Sequence, residues 1–331
     1  MLSRIVALAA VSLVTLAACS GEEDALTIYS GREESLVGPL LERFSEDTGV
    51  PIEVRYADSG ELALLIAEEG DDTPADVFYS QSPGAVGFLQ ERGLIGRLGM
   101  ESLEAVPAQY RSDEGRWVGI SGRQRVLVYN EGIVDRSDLP DSVYDLTEER
   151  YAGEVAIAPT NSSFQDFVTA MRHIGGDDAA RDWLEAMSEN GAPTFADNSS
   201  IVAAVARGEV PMGLVNHYYN EQALAEDPSL ASRNYQFPDE DLGSLLLVTT
   251  VSVLEASDDD DRAERFVEFL LSDEAQEYFG QETFEYPLVA GVEASDAVQP
   301  LDSLQVPEFD IDDLGGDLAT TARMIEESGL R

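Results

Sequence analysis

Two adjacent tyrosines, Tyr218 and Tyr219, stand near the end of residues 210–220, which read V-P-M-G-L-V-N-H-Y-Y-N. A short apolar run from Met212 to Val215 breaks at Asn216 and His217, the pattern of a buried strand that delivers polar side chains to a cleft. On an extended segment successive side chains point to opposite faces, so one phenol would pack in the core and the other lie on the surface. If the chain turns at that point, both rings face one cleft and offer two hard oxygen donors, which suit a small, highly charged cation. A phenol keeps its proton to about pH 10 in water, and a bound trivalent ion replaces that proton at neutral pH.

A second stretch, Pro159-Thr160-Asn161-Ser162-Ser163-Phe164, runs into a helical pattern. Its hydroxyl and amide side chains cap that helix, or its free N–H groups make an anion site. Asn198 and Asn216 are further neutral donors that could converge on the same anion. Arg123 and Arg125 either bear on the cleft or cross a hinge. With two histidines, His173 and His217, in no zinc-type spacing, and with Cys19 the single cysteine, neither a zinc enzyme nor a Cys–His enzyme is indicated. Carboxylate pairs decide nothing among 65 acidic residues. Asp258 to Asp261 lacks the glycine and glutamate spacing of a calcium loop and reads as charge at a helix start.

The elements that must position these groups alternate. Residues 26–32, 52–56 and 75–79 read as strands, separated by helical patterns at 36–48 and 60–69, and a further helix is expected at 84–92. Strand, helix, strand, helix, strand is the signature of a parallel doubly wound sheet, whose carboxyl-end loops line a cleft. Residues 117–120 and 125–129 read as two strands around Ser121-Gly122-Arg123, where the chain can cross to a second lobe. That lobe would begin with a strand at 154–158 and helices at 163–173, 179–188 and 201–207; 245–254 reads as the return crossing. One amphipathic helix through 279, stopped by Gly280, and a closing helix at 314–330 complete the chain.

At 331 residues the chain suffices for two lobes. Its formal net charge is −45 and all 20 basic residues are arginine, which excludes nucleic acid as a partner because phosphate contacts need clustered Lys and Arg. So acidic a coat fits a protein displayed outside a cell in salty surroundings. Residues 1–18 carry Arg4, an apolar run too short to span a bilayer comfortably, and Leu16-Ala17-Ala18 before Cys19. This resembles the lipobox of bacterial lipoproteins, which implies lipidation at Cys19, a tether at 19–25, and an extracytoplasmic chain anchored to the cell membrane.

Together the motifs resemble the ferric-iron-binding proteins of ATP-driven bacterial importers, the bacterial transferrins. The resemblance runs from Leu26 to near the carboxyl end. It rests on Tyr29-Ser30-Gly31, Pro74-Ala75-Asp76-Val77-Phe78-Tyr79-Ser80, Ser121-Gly122-Arg123, Pro159-Thr160, Ala196-Asp197-Asn198-Ser199, Val215-Asn216-His217-Tyr218-Tyr219 and Glu285-Tyr286-Pro287-Leu288. It implies an α/β, two-lobed type II periplasmic-binding-protein fold, each lobe a mainly parallel sheet flanked by helices. The lobes would comprise residues 26–121 with 246–290, and 122–245 with 291–331. It further implies one Fe3+ held by both tyrosinates with a synergistic anion, phosphate or carbonate, bound by Asn161, Ser162, Ser163, Asn198 and Asn216. Phe164 falls where some relatives carry a third tyrosine ligand.

The first lobe departs from that pattern. Glu33 stands where many relatives have a histidine ligand, and Gln81 where they have a glutamate. Two phenolates and the Glu33 carboxylate would still neutralise a trivalent ion, with Glu34 as rival and Gln81 as a neutral or water-mediated contact. His217 would support the ligands rather than bind. The expected protein is not an enzyme: it is a monomeric substrate-binding lipoprotein that passes its ion to an importer permease and its ATPase. The alternatives are a receptor of the same fold for a polyamine, thiamine or phosphonate, and a hydrolase on a similar scaffold.

Overall fold

Strand and helix alternate as the periodicity requires, and the strands hand over to their helices through polar turns. In the computed structural model, which describes residues 25–315 and 317–330, β1 (Leu26–Ser30) leads to α1 (Glu34–Thr48) and β2 (Ile52–Tyr56) to α2 (Ser59–Glu69). β3 (Val77–Ser80) leads to α3 (Pro83–Gln90), followed by the short α4 (Met100–Glu104). The leader, the tether to residue 24 and the expected lipidation at Cys19 lie outside the described residues. No helix among the described residues is long and apolar enough to cross a membrane.

The expected pair of strands around Ser121-Gly122-Arg123 is one strand, β4 (Val118–Asn130), with a register shift between Gly119 and Ser121. Gly122, at the expected crossing, is instead a place of close approach, and so is Gly119 within the strand. A Cβ on Gly119 would lie 2.7 Å from the Tyr110 carbonyl oxygen, and one on Gly122 would lie 3.1 Å from the Cβ of Tyr286. Beyond β4 come β5 (Val155–Ala156), α5 (Ser162–Gly175), α6 (Asp177–Glu189) and α7 (Asn198–Ala206). They are followed by β6 (Met212–Asn216), α8 (His217–Glu226), β7 (Ser232–Tyr235) and β8 (Leu246–Val253).

The amphipathic pattern expected as one helix is two, α9 (Asp260–Leu270) and α10 (Asp273–Gln281). Ser272 divides them, because its hydroxyl accepts the Ala275 N–H and caps a new helix. Asp260 and Asp261 sit in the first turn of α9, where carboxylates favour the positive helix end. β9 (Tyr286–Pro287) and α11 (Leu318–Glu327) follow.

The strands form one sheet in the order β2-β1-β3-β8-β4-β6-β5, with β7 and β9 also paired to β4. β1 runs parallel to β2 and β3, and β5 parallel to β6, as the strand–helix alternation implies. β4 and β8 are antiparallel to every neighbour. They are the crossing strands: β8 pairs β3 at one end of the molecule, while β4 pairs β6 at the other. All 13 residues of β4 are buried, so this strand is core on both faces. Aromatic contacts fasten helices to the first lobe: Phe44 of α1 meets Phe266 of α9 edge-on at 5.1 Å, and Phe266 meets Tyr79 of β3 at 6.4 Å.

Candidate metal and anion site

The tyrosines are not the end of a strand. β6 ends at Asn216, and His217, Tyr218, Tyr219 and Asn220 form the first turn of α8, all four buried. A helix turns the chain by about 100° per residue, so neighbouring side chains need not oppose each other as on a strand. The two rings stack with centroids 4.2 Å apart and planes at 29°. Tyr218 is fully buried and its hydroxyl has no hydrogen-bond partner among the described residues; the Tyr219 hydroxyl donates to Glu33 Oε1 at 3.2 Å. Burial raises both phenols above their ordinary value, and for Tyr219 the neighbouring Tyr218 and Glu33 charges add to the rise. For Tyr218 the Arg32 guanidinium, 5.7 Å from the ring centroid, opposes it.

Glu33 stands at the amino end of α1. Glu34, its rival, lies in the helix's first turn and its charge acts on Tyr56 instead. Arg32 is fully buried and pairs with the equally buried Glu285 at 2.7 Å, an arrangement that costs about 3–5 kcal/mol to break because one charge would be left alone inside. Glu285 also accepts from Ser121 Oγ at 3.3 Å and Thr283 Oγ1 at 3.0 Å. Among the described residues no group of three or more His, Cys, Asp or Glu side chains gathers as a metal site.

The other wall is the start of α5. Asn161 caps it by accepting the Ser163 N–H at 3.1 Å, and accepts from Asn198 Nδ2 at 3.2 Å. Three donors converge on Ser163 Oγ: Gln81 Nε2 at 3.0 Å, Arg123 Nη1 at 2.9 Å and Asn216 Nδ2 at 3.2 Å. A hydroxyl oxygen has two lone pairs, so this point holds more donors than acceptor capacity. Arg123 and Arg125 are two apart on β4, hence on one face, and both are fully buried. Arg125 Nη1 donates to Asn216 Oδ1 at 3.1 Å and Asn198 Oδ1 at 3.3 Å, because Arg125 pairs with Asn216 in the β4–β6 ladder. Burial first, then Arg123, pushes the Arg125 guanidinium down to about 9.

Ser162 turns toward the first lobe, where its hydroxyl meets Asp58 Oδ2 at 2.6 Å. With the Gln81–Ser163 contact and Ser82 Oγ donating to Asp166 Oδ1 at 2.8 Å, the facing helix starts of the two lobes touch. Gln81 thus spends its amide nitrogen on the anion wall. Phe164 packs against Phe167 and Trp183 at 6.0 and 6.3 Å, in the second lobe's core rather than in the cleft. His217 engages the backbone through both ring nitrogens.

Arg32, Glu285, Asp58 and Asp166 were not singled out as site residues from sequence. An arginine two residues past a strand, in a chain that spends its acid on the surface, was the signal available for Arg32. Nothing comparable marks Asp58 or Asp166 among so many acids.

Residues 72–311 match the model of the bacterial extracellular solute-binding protein family. This chain belongs to that family. The binding protein is 30% identical over 317 residues to the Fe(3+)-binding periplasmic protein of Serratia marcescens, covering 95% of this chain and 93% of the relative. It is 30% identical over 314 residues to the major ferric iron-binding protein of Neisseria meningitidis, covering 92% and 93%. The crystal structure of iron-bound HitA from Pseudomonas aeruginosa superposes with a TM-score of 0.88 at 33% identity, over 92% of this chain and 99% of that one.

Proposed function

We propose that this chain is an extracytoplasmic receptor which binds one ferric ion, its substrate, between two lobes together with an anion, and delivers it to an ATP-driven importer. The observation that carries this is the stacked, buried pair Tyr218 and Tyr219 beside the Glu33 carboxylate. Two phenolates and one carboxylate balance a trivalent ion. The oversubscribed Ser163 hydroxyl supports the anion: Arg123, Asn216 and Gln81 all present N–H groups where a single oxygen accepts them, and Arg125 and Asn198 lie next to it. Phosphate or carbonate would supply the missing acceptors and the negative charge that two buried guanidiniums favour.

In this reading residues 26–121 with 246–290 and residues 122–245 with 291–331 are the lobes, and β4 and β8 are the straps across which they hinge. Closure excludes water and strengthens the charge interactions. Gln81 serves the anion side and Glu33 the metal side. The chain performs no chemistry of its own, acts as a single copy, is held to the membrane by lipid on Cys19, and hands its ion to a permease driven by an ATPase.

The deciding experiment adds ferric citrate to the purified protein with phosphate or bicarbonate and records the visible spectrum. Tyrosinate bound to iron gives a charge-transfer band, expected to saturate at one iron per chain. A colourless protein overturns the proposal. Glu33→Ala is expected to weaken binding, and an unchanged affinity removes Glu33 from the shell.

A further inference from the structure

The helix that carries both tyrosines starts without the usual device. Asn216 occupies the cap position of α8, yet its side chain makes no cap hydrogen bond, because it is committed to Ser163 and Arg125 on the anion wall. A helix start left unheld frays, and fraying here would move the phenols. Its first residue, His217, is fixed in another way.

The β4–β6 ladder pairs Arg125 with Asn216, so the next partners in register would be Gln124 and His217. The chain has already turned into α8 at that point, and the imidazole takes the place of the ladder acceptor: the Gln124 N–H donates to His217 Nδ1 at 3.1 Å. On the opposite edge of the ring, Nε2 lies 2.9 Å from the Phe284 carbonyl oxygen. One ring must therefore accept on Nδ1 and donate from Nε2, which fixes the neutral Nε2–H form. The ring also stacks on Tyr286 at 4.7 Å and 20°. Phe284 holds a φ of 60°, a left-handed conformation that aromatic residues rarely adopt, in the segment that brings its carbonyl to the ring. Next to it, Thr283 gives its carbonyl to Gln222 of the same helix, and Glu285 gives its carboxylate to Arg32.

We propose that His217 is the positioning residue for the tyrosine pair: bridging the Gln124 N–H of β4 and the Phe284 carbonyl, it sets the rotation of the first turn of α8 so that Tyr218 and Tyr219 address one point in the cleft. The inference rests on the reading that those phenols bind ferric ion. Lever and tolerance make the clamp matter. Each residue advances about 100° around the helix, whereas metal–ligand distances hold to about 0.2 Å, so a small rotation at His217 separates two oxygens that must meet at one ion. No other side chain combines an acceptor and a donor on opposite edges of a rigid ring that can also stack on Tyr286.

The test uses the whole protein and three variants, His217→Ala, His217→Asn and His217→Gln, with ferric citrate as probe. Measured are the position and intensity of the charge-transfer band at saturation, the affinity for iron by citrate competition, and the melting temperature without iron. Expected for His217→Ala is a shifted or weakened band per bound iron and an affinity lower by about tenfold to a hundredfold, the range for residues that orient metal ligands. His217→Gln, which keeps an acceptor and a donor, should recover part of both.

A lower melting temperature with band and affinity unchanged at saturation would mean packing alone and overturns the inference. Should His217→Ala not fold, His217→Asn, whose short amide reaches one partner, is read by the same two criteria. A parent protein that never colours with iron sinks the ferric reading itself. A coloured parent with an unaltered variant sinks only the role of His217.

Discussion

Two helix starts stand side by side, linked from Asn216 to Ser163, and they are built oppositely. The start of α5 is capped by Asn161, lined with short hydroxyl and amide groups, and approached by Arg123. The start of α8 has no side-chain cap, is lined with two phenols, and is approached by the carboxylate of Glu33. The first gathers N–H donors around too few acceptors, while the second gathers oxygen atoms around protons that can leave. Asn216 joins the two, standing at the cap position of α8 while donating to Ser163 of α5. Under the proposed function, that division would suit a cation and an anion side by side. Burial strengthens the donor side, because the guanidiniums of Arg123 and Arg125 would be screened to little effect in water.

The largest effect should come from the phenol side. Tyr218→Phe or Tyr219→Phe is expected to weaken or abolish the visible band and lower ferric affinity by more than the hundredfold or so typical of an outer residue. With both phenols raised above their ordinary value, each holds its proton in the ion-free protein and would lose it as an iron ligand. Affinity should therefore fall by about tenfold per pH unit for each phenol as the solution is acidified. A phenylalanine variant that binds as tightly as the parent ends the comparison.

Next in size is the anion side. Arg125→Ala should remove the dependence of iron affinity on added phosphate or bicarbonate, with a loss of roughly tenfold to a hundredfold when the anion is present. Equal anion dependence in parent and variant would place the anion elsewhere.

The smallest effect concerns the seam between the walls. Asp166, buried on α5 beside Ser82, is pushed up to about 7 by burial, from 3.8. The folded protein then keeps a proton that the unfolded chain releases. The stability from this group is fully present below about pH 4 and is lost as pH rises through about 7. Asp166→Asn should flatten the change in unfolding free energy between pH 5 and pH 8 by roughly 2–3 kcal/mol. Identical denaturation profiles for parent and variant would refute the shift.

Much of the fold is local and was legible. Apolar runs of strand length, helical periodicity and the polar stretch at 159–164 each describe a few neighbouring residues, and most strands and helices lie where these signals put them. The failures were local signals with a distant cause. Gly122 looked like a break between two strands because glycine permits one, yet it is small so that Tyr286 and Leu288 can approach. Ser272 looked like one more polar residue on a long helix, but its hydroxyl caps a new one.

Composition and motif alone determined that this protein is an acidic two-lobed α/β chain carrying two neighbouring phenols, because residue type, charge and periodicity survive in one dimension. Tertiary structure decided that the phenols stack in a helical turn, that Glu33 rather than Glu34 meets Tyr219, and that Arg32, Arg123 and Arg125 lie inside. Those outcomes depend on which distant segments share a register and a dry interior, as when Gln124 meets His217 across 93 residues. No property of either residue taken singly encodes that meeting.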